Sequence, residues 1–117
     1  MTIPDLIRTS NAIIKNTSLG MDDHSMFTCM LMCEGDGWGQ GFGGYRLDSR
    51  LEDPPSKYGI EFIKKIIETV GCGSWEKLSG QHLRIKHTHD KIYAIGHILE
   101  ERWFDPTELL ELLREKE

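Results

Sequence analysis

The sequence predicts an α+β fold: one domain over residues 1–117, with a mainly antiparallel sheet of about five strands, one main helix packed on it and a short C-terminal helix. Three observations carry this reading. Ser25–Glu34 alternates cleanly, with Phe27, Cys29, Leu31 and Cys33 on one face and Met26, Thr28, Met30 and Met32 on the other. Ile60, Ile63, Ile67 and Val70 form one apolar stripe at helical spacing, widened by Phe62 and Ile66. Short turn sequences separate neighbouring strand candidates, so consecutive strands pair as hairpins.

The elements follow in order. Residues 1–10, with Pro4 and Asp5, read as an N-terminal arm. Asn11 to Asn16 reads as a strand centred on Ile13 and Ile14, punctuated by Thr17-Ser18-Leu19-Gly20. Met21-Asp22-Asp23-His24 reads as a polar loop. Ser25 to Glu34 is the clearest strand; both its faces are apolar enough to be covered, which places it centrally. Glu34-Gly35-Asp36-Gly37 is a hairpin turn, with glycine supplying positive φ. Trp38 to Leu47 returns as a strand, and Asp48 to Ser56 is a loop closed by Pro54-Pro55. Ser56 is placed to cap a helix over Lys57 to Val70, and Gly71 to end it. Ser74 to Leu78 suits one short helical turn before Gly80. His82 to His87 pairs with Ile92 to Leu99 across Thr88-His89-Asp90-Lys91. Asp105-Pro106-Thr107-Glu108 marks the start of a helix over residues 106–117, with Asp as cap and Pro in the first helical position. Leu109, Leu110, Leu112 and Leu113 give that helix a wide apolar face, suited either to docking on its own sheet or to contacts in a homo-oligomer.

The charge balance narrows the function. Nineteen acidic and fourteen basic residues give a net charge of −5. Direct binding of a nucleic-acid backbone needs clustered Lys and Arg to displace counterions, and here the basic residues are scattered. An acidic surface suits a basic protein partner or simply solubility. Three cysteines, Cys29, Cys33 and Cys72, together with the absence of a secretion signal, point to reduced thiols in a cytoplasm. No apolar run approaches the about 20 residues of a membrane span.

The most unusual stretch is Gly37-Trp38-Gly39-Gln40-Gly41-Phe42-Gly43-Gly44-Tyr45. It contains G-x-G-x-x-G, but a dinucleotide fingerprint needs a helix directly after it, and a two-proline loop follows instead. Read as a strand, its odd positions 37–43 give a bare backbone face, and Trp38, Gln40 and Phe42 share the other. Bare backbone implies close approach, either by a helix or large aromatic of the protein or by a flat ligand. Aromatic rings, an amide and accessible backbone equip this segment to hold a nucleobase or ribose, and equally to build a core.

The histidines offer no intact motif. His87-x-His89 with Asp90 has the spacing to share an ion, but the further ligands of known H-x-H sites are missing. Cys29-x₃-Cys33 points into the core, and Asp22-Asp23-His24 could supply an acid–base pair. No cofactor, metal ligand or catalytic residue is assigned.

The stretch from Ile14 through Thr17-Ser18-Leu19-Gly20, Asp23-His24 and Thr28-Cys29 to Gly39-Gln40-Gly41-Phe42-Gly43-Gly44-Tyr45 carries a resemblance. It continues in Tyr58-Gly59, Phe62-Ile63, Glu68-Thr69-Val70-Gly71, Trp75-Glu76, Gly80, His82, Ala94-Ile95-Gly96 and Trp103-Phe104-Asp105-Pro106. Together these segments resemble small uncharacterised proteins of bacteriophages and prophages. The resemblance implies an accessory role in the host cytoplasm: a non-enzymatic binding protein that antagonises an antiviral defence. Its target would be a host defence protein, as for an anti-CRISPR, or a nucleotide-derived immune signal. The ligand-binding residues expected are Asp23, His24, Trp38, Gln40, Phe42 and Tyr45. The alternatives are a small hydrolase acting on a nucleotide through His24, His87 or His89, with or without a metal, and a virion or assembly accessory protein.

Overall fold

Strand β1 (Arg8–Met21) is the longest element, and the sheet is built around it. A computed structural model describes residues 6–51 and 53–116. β2 (Phe27–Gly35) and β3 (Trp38–Gly43) form a hairpin on one side of β1. β4 (His82–His87), β5 (Ile92–Gly96) and β6 (Trp103–Phe104) extend the sheet on the other. The order is β3-β2-β1-β4-β5-β6, and every pairing is antiparallel. The expected α+β class and antiparallel sheet are present, with six strands where the sequence suggested about five.

β1 uses its two edges at different heights. Arg8 to Ile13 pair with β4, whereas Ile13 to Met21 pair with β2. A register shift between Ile14 and Asn16 leaves Lys15 as an extra residue, and such a bulge sharpens the local twist. Nearby, Ser79 Oγ donates to the Lys15 carbonyl at 2.9 Å, and the Gly80 amide donates to the Ile14 carbonyl at 2.7 Å. The sheet therefore shears and curls until β3, at one edge, meets β5, next to the other edge.

α1 (Tyr58–Val70) covers the concave face and contacts β5, β6 and the terminal helix α2 (Pro106–Glu115). Phe62, fully buried, is the centre of the aromatic packing. Its ring centroid lies 5.0 Å from that of Phe104, 5.6 Å from Tyr58, 5.9 Å from Tyr45 and 6.0 Å from Phe42. Ile14, Leu31, Leu83, Ile85 and Ile95 complete the floor, all without exposed surface.

Several boundaries move from their expected places. β1 starts at Arg8, inside the expected arm, whose residues 1–5 lie outside the described set. It also runs through Thr17-Ser18-Leu19-Gly20, because these residues pair with β2 and the reversal comes only at Asp22–Met26. β3 stops at Gly43: φ values of 116° at Gly43 and 80° at Gly44 turn the chain, where the sequence suggested a strand to Leu47. β5 stops at Gly96, since the His97 ring accepts the amides of Leu99 and Glu100 and folds a turn there. Ser56 does not cap α1; Lys57 occupies that position with no side-chain cap bond. Gly71 does end α1 with a left-handed backbone, φ 84°, and Asp105 caps α2 by accepting from the Thr107 amide at 2.9 Å. The outer face of β2 is not fully covered: Met32 keeps 40% of its surface exposed. Among the described residues no helix is long and apolar enough to cross a membrane.

Removing the Phe62 ring in Phe62→Ala should cost about 3–5 kcal/mol of stability, read as a lower denaturant midpoint. Burial pushes the thiols of Cys29 and Cys33 up from the ordinary 9.0 to about 12, and the Tyr58 hydroxyl from 10.0 to about 12, again chiefly through burial. The unfolded chain releases these protons first. Stability from this source is therefore intact below pH 9.0 and falls as pH rises toward about 12, which denaturation at stepped alkaline pH will show.

Candidate functional site

Three strands change from apolar to polar in the same direction along the concave face. β1 passes from Ile14 and Ala12 to Ser10 and Arg8. β4 passes from Leu83 and Ile85 to His87, and β3 from Phe42 to Gln40 and Trp38. Register brings these ends together, with Arg8 opposite His87 and Ser10 opposite Ile85. Opposed residues share a face, so Arg8, Ser10 and His87 all look inward. β2 pairs with β1 only from Ile13 onward, and the β2–β3 hairpin tip leans across the gap. The result is a pocket of about 310 Å³ lined by Arg8, Ser10, Trp38, Gly39, Gln40, His87 and His89.

His87 is the centre of this pocket. Its imidazole stacks on Trp38, with centroids 5.1 Å apart and planes 22° from parallel. Nδ1 lies 2.9 Å from Gln40 Oε1, and Nε2 lies 2.8 Å from Ser10 Oγ. Gln40 Nε2 donates to the Thr88 carbonyl at 2.9 Å. That last bond orients the amide, because its oxygen placed there would face another oxygen with no proton between them. Oε1 is thereby turned to His87, and it can only accept, so the imidazole proton sits on Nδ1. In the neutral ring Nε2 then carries a lone pair and accepts from the Ser10 hydroxyl. His89 Nε2 lies 3.1 Å from Asp90 Oδ1 at the rim.

At Gly41 and Gly43 the strand owes its bare face to β2, whereas a Cβ at Gly39 would make only an ordinary contact and Gly37 is set apart by its φ of 76°. A Cβ added at Gly41 would stand 2.8 Å from Met30 Sδ and 3.4 Å from Met32 Sδ. One added at Gly43 would collide with the Cys29 carbonyl. Two thioethers thus lie along the outer face, where a helix, an aromatic or a ligand was expected. The informative face is the inner one.

The expected site residues separate into three groups. Trp38 and Gln40 line the pocket. Phe42, 1% exposed, belongs to the core beneath it, and Tyr45 packs against Phe62 behind it. Asp23 and His24 lie at the opposite end of β2 from Trp38. Nine strand residues intervene, about 26 Å at the usual rise, so these two do not join the pocket. Their loop has a local role: Asp22 Oδ1 accepts the amides of Met26 at 2.9 Å and His24 at 2.8 Å. The Met26 amide is the main cause holding the Asp22 carboxyl below its ordinary range. Arg8 and Ser10 are pocket residues outside the strand that the sequence predicts, because that strand begins at Asn11. Counting back in twos from Ile14 and Ala12 would have reached both. Among the described residues no three His, Cys, Asp or Glu side chains converge as metal ligands. The chain matches no protein-family model, no curated protein and no solved structure.

The Gln40–His87 bond has a direct signature. Nitrogen NMR of the imidazole should show Nδ1 protonated in the neutral native protein. Gln40→Leu should shift the neutral ring toward the Nε2–H form, as the partner for Nδ1 is removed.

Proposed function

We infer that the protein captures a small planar ligand carrying an anionic group, with a mononucleotide as the class that fits best. The observation behind this is the pocket itself: a tryptophan–histidine stack beside one arginine. Its volume, about 310 Å³, is at the lower end of the roughly 300–1,000 Å³ typical of ligand pockets. Trp38, in its stack with His87, offers aromatic surface for a base, and Arg8 offers a charge for phosphate. The acidic net charge and scattered basic residues speak against a long nucleic acid and leave a free nucleotide suitable.

The resemblance to phage-encoded proteins gives this reading a setting. Capture of a nucleotide-derived immune signal in the host cytoplasm is the form of defence antagonism that such a pocket supports. Gripping a defence protein draws less support, since Asp23 and His24 lie at the other end of β2 from Trp38.

Calorimetric titration with purine and pyrimidine mononucleotides tests the reading. Binding is expected, and Trp38→Ala should weaken it by about 5- to 150-fold, the loss of roughly 1–3 kcal/mol of stacking. Arg8→Ala should weaken it and reduce its dependence on salt. Absence of heat with every mononucleotide, from a folded protein, would remove the reading.

A further inference from the structure

Ser10, His87 and Gln40 form a continuous relay. A hydroxyl lies 2.8 Å from one imidazole nitrogen, and an amide oxygen lies 2.9 Å from the other. A weak nucleophile becomes active when a base is within hydrogen-bond reach and a third group orients that base. Gln40 meets the third requirement without carrying charge. It keeps the proton on Nδ1 and the lone pair on Nε2, toward Ser10. The same bonds would also arise if they served only to satisfy polar groups at a strand end. Two features point beyond that. The relay opens into the pocket instead of being sealed in the core, since all three residues line it. Arg8 stands two residues before Ser10 on the same face and brings a cation to the same space.

We propose that Ser10 is a nucleophile, with His87 as its general base and Gln40 as the positioning residue. The substrate class is a small carboxylic ester of a planar aromatic or heteroaromatic alcohol. The proposal rests on the pocket reading, because the planar group must seat against Trp38. Ser10 Oγ bonds to the carbonyl carbon while its proton passes to His87 Nε2. The carbonyl π pair moves onto oxygen, and the charge that develops faces Arg8. When the carbonyl re-forms, the bond to the alcohol oxygen breaks, and that oxygen takes the proton from Nε2. The alcohol leaves and an acyl-Ser10 remains. Water then adds to the acyl carbon and gives its proton to Nε2, and Ser10 departs with that proton as a hydroxyl. The sum is ester plus water giving acid plus alcohol, with no oxidant or reductant.

The test uses the full chain and p-nitrophenyl acetate. Release of nitrophenolate is followed, the acetyl adduct is located by peptide mass spectrometry, and planar-ligand binding is measured in parallel. The adduct is expected on Ser10, with Ser10→Ala lowering release by about 100-fold or more. Gln40→Leu should slow acylation in step with the loss of the Nδ1 proton read by nitrogen NMR of the imidazole. Circular dichroism establishes that each variant is folded. An adduct on lysine or His89 alone, or equal release from Ser10→Ala, would overturn the proposal. Binding without acylation would overturn it and leave the pocket reading standing; neither binding nor acylation would remove both.

Discussion

Strand β1 is paired with β4 through its first half and with β2 through its second, and the two pairings overlap only around Ile13. Most of the architecture follows from this offset. If both neighbours ran the full length of β1, the sheet would be an even ribbon with one solvated face. Because they do not, the β2–β3 hairpin and the β4–β5–β6 half are displaced along β1 and twist toward each other. The bulge at Lys15 falls where one pairing gives way to the other, and the backbone bonds from the Gly80 region hold the chain at that point. The concavity that results needs a filler, and α1 supplies it with Phe62 among four other rings. Aromatic side chains cover such a space with few residues, which suits a domain of this size.

The same offset makes the pocket. A filled concave face leaves no place for a site, but α1 covers only part of this one. Beyond it, β1 extends past β2, β4 reaches its last residue and β3 begins. There the inward positions become Ser10 and Arg8 on β1, His87 on β4, and Gln40 followed by Trp38 on β3. Core and site are therefore successive stretches of the same strands, and the boundary between them is a change of residue type at a fixed parity. His87 shows how firmly the polar end is organised: both ring nitrogens and one ring face have partners within the protein. Such a ring cannot turn freely, so its proton stays where Gln40 puts it.

What the sequence makes legible is what local chemistry determines. The alternation of Ser25–Glu34, the stripe of α1, the glycine at Gly71 and the Asp105-Pro106 start of α2 each follow from neighbours in the chain. The length of β1 does not. Thr17-Ser18-Leu19-Gly20 has the composition of a turn, and only pairing with β2 makes it strand. Trp103 and Phe104 make a two-residue strand, too short to give a period. Of the site, Trp38 and Gln40 are readable because glycines isolate them. Ser10 and Arg8 are hidden by an apparent arm, and His87 looks like half of a metal motif until its partners from β1 and β3 are seen. Asp23 and His24 are drawn in by polarity alone, and the long β2 strand keeps them apart.

Trp38 sits at the tip of the β2–β3 hairpin, and the tip meets the rest of the domain through its stack on His87 and the Gln40 bond to Thr88. The pocket wall thus rests on contacts made by the very side chains that line the pocket. Any molecule that bound against Trp38 or Gln40 would add to these contacts or compete with them, and its affinity and the docking of the tip would then change by the same free energy.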